Sequence, residues 1–156
     1  KEIVNNIGCA SCHMPTLPLK SLMFVEPGPL NTEISTTLAE SKKTLVVNLE
    51  DYVSKLEKDD DGNYLIPIWS DLKRHDMGPK LDNERPLQKG VPTNYWLTKK
   101  LWGFYSEPPF LHHGRANLLN DVIEMHQGDA KISSDAYFDL ESDEQQYLIE
   151  FLKSFK

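Results

Sequence analysis

A chain of 156 residues is one domain's worth of polypeptide and long enough to bury a core. With 39% apolar residues, 8 Gly and 10 Pro it is neither disordered nor collagen-like, and no run approaches the roughly 18 consecutive apolar residues of a membrane span. Seventeen basic against 24 acidic residues leave a net charge of −7, with no basic cluster to track phosphates, which argues against nucleic acid or an anionic membrane and favours a basic protein partner.

From the N-terminus, Ile3, Ile7 and Ala10 recur at helical spacing and predict a short helix over residues 2–13. It runs into Cys9-Ala10-Ser11-Cys12-His13, which holds both cysteines of the chain. Cys-x-x-Cys-His is the attachment signature of haem c. On a helical turn, residues three and four apart share a face, so two thiols can reach the two vinyl groups while the next residue turns its imidazole under the iron. A zinc site does not require the adjacent His13, and no second ligand pair has the usual short spacing. A thioredoxin-like pair expects a helix after the motif, where Met14-Pro15 and a Pro-rich stretch stand instead. A disulfide between such close neighbours would close a strained loop. The spacing therefore favours one covalent haem c with His13 as its proximal ligand.

Pro15, Pro18, Pro27 and Pro29 forbid a long helix between Met14 and Asn31 and predict an irregular wrap. Residues 44–49 predict one short strand and residues 64–69 another, making a small β ribbon near Val46 and Ile66. Between them, residues 50–58 are open to helix or ribbon. Asp59-Asp60-Asp61-Gly62-Asn63 predicts a turn. Glu57, Asp59, Asp61 and Gly62 match early places of a calcium loop, but Ile68 stands where a bidentate carboxylate is needed, so a solvated turn is the better reading. All ten prolines lie at or before Pro109, and two helices are expected beyond them. One runs from Asn117 to about Gln127 and closes at Gly128. The other starts from a Ser142/Gln145 capping box and presents Tyr147, Leu148, Phe151, Leu152 and Phe155 as an apolar stripe.

Three blocks carry a resemblance: Gly8-Cys9-Ala10-Ser11-Cys12-His13-Met14-Pro15-Thr16, then Ser70-Asp71-Leu72-Lys73-Arg74-His75-Asp76-Met77-Gly78-Pro79, then Leu101-Trp102-Gly103 with Phe110-Leu111-His112-His113-Gly114-Arg115-Ala116. Together they resemble the C-terminal haem domain of the di-haem oxidoreductases, peroxidase-like or thiol-oxidoreductase proteins similar to bacterial di-haem cytochrome c peroxidases. The ending, Glu124-Met125-His126-Gln127-Gly128-Asp129-Ala130 and the closing Phe151-Leu152 helix, is similar too. The His-Asp-Met-Gly block is the most specific piece. Three departures stand out. His113 replaces the family's Asp, Lys99-Lys100 replaces its Pro-Pro, and there are cysteines for one haem only.

The sixth iron ligand separates an electron carrier from a catalyst. Met77 is the first choice, on a turn made by Gly78-Pro79 and at the ligand position that the resemblance implies; the rival view is a Met packed in the core. A thioether would raise the potential and close the iron to peroxide. His75 is the alternative, since in an extended segment it points to the same side as Met77. His112, His113 and His126 read as structural or surface histidines, and Met125 as helix core. Arg115 could pair with a haem propionate, while Arg74 reads as a surface ion pair. Trp102 and Trp69 could each donate an N–H to a propionate, although core packing explains both.

The resulting expectation is a single, mainly α, cytochrome c-like haem domain over residues 1–156, with long irregular loops and a small β ribbon. It would transfer one electron through low-spin His13/Met77 iron, as the electron-entry module of a di-haem assembly does in the enzymes it resembles. Its partner would be a redox protein or a second haem domain with a basic docking face. The alternative is a haem peroxidase with an open or displaceable sixth position and an acid–base group from His75, His112 or Glu107. Haem c attachment implies a periplasmic or other extracytoplasmic site. The first residues lack a signal peptide's apolar core, which implies removal, truncation or excision from a longer di-haem chain.

Overall fold

Ile3, Val4 and Ile7 form one apolar face of helix α1 (Glu2–Asn6). The helix stops because Gly8 enters the left-handed region at φ 86°, which costs glycine little. A side chain there would also meet the Ser133 hydroxyl at 2.9 Å. The chain then tightens into a 3₁₀ turn at Cys9–Ser11, so the single helix expected over residues 2–13 is two pieces. This computed structural model describes residues 1–26, 44–82, 90–103 and 108–155. They fall into two units, Lys1–Pro15 with Ile68–Lys156, and Thr16–Pro67.

In the first unit, strand β5 (Arg74–Asp76) pairs antiparallel with β6 (Tyr95–Leu97), His75 opposite Trp96. Three helices follow: α3 (Leu119–Glu124), α4 (Lys131–Phe138) and α5 (Ser142–Lys153). Helix α4 is an addition to the two expected, hidden from pattern reading by its weak apolar stripe. Val4 and Ile7 of α1, Trp69, Leu101, Tyr137 of α4 and Leu148 of α5 share one buried core. Phe151 and Phe155 stand edge-on to Trp69, ring centres 5.3 and 5.2 Å away, an arrangement aromatic quadrupoles favour. Burial of Leu148 contributes about 2 kcal/mol. The expected stripe differs at Tyr147, which is 66% exposed. The capping box also lies one residue earlier than expected, reciprocal between Glu141 and Glu144, because the extended N-cap conformation falls on Glu141.

In the second unit, β1 (Leu17–Leu19) pairs antiparallel with β4 (Tyr64–Ile66), and β2 (Met23–Glu26) with β3 (Leu45–Asn48). Val46 and Ile66 thus belong to two ribbons, each completed by a strand from the segment expected to be an irregular wrap. Residues 50–53 are helix α2 (Glu50–Val53). The Asp59 carboxylate accepts hydrogen bonds from the Asp61 and Asn63 amides and the Asn63 side chain. That is the solvated turn, with its carboxylate spent inside it.

Among the described residues, helix takes up 35% and strand 19%, the strands in three separate two-stranded antiparallel sheets. A mainly α, cytochrome c-like fold is therefore not what these residues form. Strands of three or four residues are too short to show alternation, and their partners lie far off in sequence, as Leu17 and Ile66 do.

Candidate functional site

The Cys-x-x-Cys-His turn is closed on itself and tied to one other segment. The His13 amide donates to the Cys9 carbonyl at 2.9 Å, and the Cys12 carbonyl accepts the Asp71 amide at 2.8 Å. Both cysteines are free thiols and half-buried. Burial pushes both thiols above their ordinary pKa, at Cys12 against a hydrogen bond from Ser11. At neutral pH both are therefore protonated thiols. Cys12 Sγ, an Asp71 carboxylate oxygen and a His75 ring nitrogen lie within 4.8 Å of one another. The His75 ring is engaged there: Nε2 is 2.8 Å from Asp71 Oδ2, and Nδ1 is 3.9 Å from Asp129 Oδ2.

His13 Nδ1 lies 3.1 Å from the Trp69 carbonyl oxygen. A carbonyl can only accept, so Nδ1 carries the proton and Nε2 keeps its lone pair. Trp69 sits at φ 54°, a region that side chains larger than Asn rarely enter. That local strain turns the carbonyl that orients His13. Burial pushes the imidazole down to about 4, against the carbonyl bond, which would raise it. At neutral pH His13 is an uncharged, orientated imidazole with one free donor nitrogen, the state a metal ligand needs. Two uncharged thiols and this imidazole fit the attachment chemistry of a c-type haem.

His126 repeats the device. Its Nδ1 donates to the Val122 carbonyl at 2.7 Å, four residues back at the end of α3. Burial again holds it below its ordinary pKa. The His13 and His126 ring centres lie 6.5 Å apart, with their planes tilted by 44°. The turn that follows His126 is locked by two glycines. A Cβ on Gly78 would stand 2.7 Å from Gln127 Cβ, and one on Gly128 would run into the Asp76 carbonyl. The Asp76 amide donates to Asp129 Oδ2 at 3.1 Å, and the Asp76 carboxylate accepts from the Gly78 amide at 2.8 Å and Asn94 Nδ2 at 2.6 Å. Ser134 Oγ donates to the Ile123 carbonyl at 2.7 Å. The His-Asp-Met-Gly block is thus a backbone buttress for the residues after His126.

Met77 is half-buried, its amide donating to the Asn94 carbonyl at 2.8 Å. Trp102 is 39% exposed, with Lys100 Nζ 5.7 Å from its ring centre. Arg115 is exposed, and its amide donates to His113 Nδ1 at 3.1 Å. Trp69 is core, as its aromatic neighbours show. His112 stacks on Trp96 at 3.7 Å. Glu107 lies outside the described residues. His126, read from sequence as a structural or surface histidine, is brought beside His13 by the fold. It lies 113 positions beyond His13, with no short spacing to flag the pair.

Residues 53–155 match the family model described as "Di-haem oxidoreductase, putative peroxidase". The chain belongs to this di-haem oxidoreductase family. No significant match exists among curated proteins or among solved structures. Membership makes this a haem-linked oxidoreductase domain of peroxidase-like kind. The matched region holds the His75–Gly78 block, Trp102, Arg115 and His126, while the Cys-x-x-Cys-His turn precedes it. No described helix is long and apolar enough to cross a membrane.

Proposed function

We propose that the chain is a one-electron-transfer domain carrying a single c-type haem, attached through Cys9 and Cys12 and ligated by His13. The observation that carries this reading is the His13 Nδ1 bond to the Trp69 carbonyl at 3.1 Å, which leaves Nε2 as a neutral donor beside two free thiols. When bound, haem supplies a reversible one-electron iron couple. The protein's part is to hold and tune it. Cys9 and Cys12 anchor the group at two points on one turn. Trp69 fixes the tautomer and raises the basicity of His13. Arg115, and the Trp102 indole N–H, are the groups assigned to the propionates.

Met77 and His75 are the sequence's candidates for a second residue that would hold the iron. The Asp71 carboxylate at 2.8 Å engages His75, which speaks for a structural role for that residue. The net charge of −7 supports docking to a basic redox partner, or to a second haem domain with a basic face, by steering that weakens with salt. A covalent haem c implies a periplasmic or other extracytoplasmic site.

The test is covalency. Expressed with a haem c maturation system, the full chain should keep its haem through denaturation and acid–solvent extraction, and Cys9→Ser with Cys12→Ser should lose it. Haem that extracts from the wild-type chain would refute covalent attachment.

A further inference from the structure

We infer that His126 is the second axial ligand, bound through Nε2 on the face of the iron opposite His13. The inference rests on the c-type haem reading above and replaces the thioether of Met77 with a second imidazole.

Three independent features point there. The first is spacing. A metal–imidazole nitrogen bond is about 2 Å long, and each nitrogen lies about 1 Å from its ring centre, so two imidazoles on one metal stand roughly 6 Å apart. The His13 and His126 centres are 6.5 Å apart, too far for ring stacking and right for one metal between them. The second is donor chemistry. Each ring gives its Nδ1 proton to a backbone carbonyl, Trp69 for His13 and Val122 for His126, which leaves one lone pair on each Nε2. Any buried imidazole must satisfy its N–H; here the bond is made at Nδ1 in both rings, which leaves Nε2 available and orients each ring in the way ligating histidines are held.

The third is support. Gly78 and Gly128 bring two backbones closer than any side chain would allow, and Asp76 bonds Asp129 across the junction at 3.1 Å. This close approach fixes the chain immediately after His126, as a ligand on a short helix end requires. Met77 lies inside the buttress, with its amide bound to Asn94, so the block has a structural purpose that does not need its sulfur on the iron.

Two imidazoles close the iron to exogenous ligands and lower its potential relative to a His/Met pair. Such a domain passes electrons and does not bind peroxide at its own haem.

The experiment uses the full-length haem-loaded chain. The wild-type ferric form should be low-spin, without the thioether-to-iron charge-transfer band, and its ferrous form should resist carbon monoxide. Met77→Ala should leave the spectrum unchanged. His126→Ala should turn high-spin and bind carbon monoxide, and His126→Met should raise the midpoint potential and introduce the thioether band. A thioether band in the wild type that Met77→Ala abolishes would overturn the inference while leaving covalent haem intact. So would a His126→Ala spectrum identical to wild type. Haem that extracts from the wild-type chain would instead refute the haem c reading itself. Should His126→Ala fail to fold, His126→Met decides, since only replacement of the ligand itself introduces the thioether band and raises the potential.

Discussion

Gly128→Ala is the sharpest perturbation of the buttress behind His126. Gly128 has φ 54°, and holding alanine in the left-handed region costs about 1–2 kcal/mol. The added methyl would also overlap the Asp76 carbonyl and stand 2.9 Å from the Gly78 amide nitrogen. Both contacts are backbone, so neither yields by a rotamer change. The two segments must separate, losing the Asp76–Asp129 hydrogen bond, a further loss of about 1 kcal/mol. The expected destabilisation is about 3 kcal/mol, which for a chain of this size lowers Tm by about 6–12 °C. Gly62→Ala and Gly90→Ala are the controls: φ is 82° and 80°, but a Cβ meets nothing within 4 Å among the described residues. They should lose only the conformational part, about 1–2 kcal/mol. Thermal unfolding followed by circular dichroism measures all three. If Gly128→Ala melts no lower than the controls, the close approach of the two backbones is not a structural necessity.

Other outcomes follow from the same geometry. The His13 imidazole is pushed down to about 4 by burial, while in the unfolded chain it titrates near 6.5. The unfolded state then binds more protons between those values. In the haem-free chain, stability should be complete above about pH 6.5 and fall by about 3 kcal/mol as pH drops towards 4, with His126 adding in the same direction. Urea midpoints measured across that range check this, and a flat profile would contradict it. Leu148→Ala, emptying a site that is 4% exposed, should cost about 2–5 kcal/mol, seen as a lowered denaturant midpoint. Ser134→Ala removes the 2.7 Å bond to the Ile123 carbonyl, which keeps the His126 amide as a donor at 3.0 Å, and should cost about 0.5–1.5 kcal/mol. A change within error would show that the His126 amide alone satisfies that carbonyl. Electron transfer to a basic partner should slow as ionic strength rises, and stopped-flow rates at two salt concentrations test it.

Residues close in sequence were the legible ones. The last helix showed itself through Leu148, Phe151 and Leu152, although its capping box sits at Glu141 and Glu144, because a one-residue shift leaves the local pattern almost unchanged. The Asp59 turn was equally visible, since Asn63 and Asp61 satisfy that carboxylate from within the same loop. Helix α4 escaped notice because Ile132 is 83% exposed while Tyr137 is buried, which blurs the period. Strands β3 and β4 were expected close to where they form, but β1, β2, β5 and β6 escaped because three or four residues carry no alternation to read. Their partners are chosen by the chain's return, as Met23 against Asn48 shows.

The sequence by itself determined the family, the acidic charge and the Cys9-x-x-Cys12-His13 spacing, because a motif of two thiols with an adjacent imidazole is held within five residues. Tertiary structure alone decided that Trp69 orients His13, that the His126 ring lies 6.5 Å from it, and that the His-Asp-Met-Gly block braces the turn behind His126. Those relations join residues dozens of positions apart. No local period encodes such pairs, and they exist only once burial and backbone hydrogen bonding have repaid the entropy of bringing the segments together.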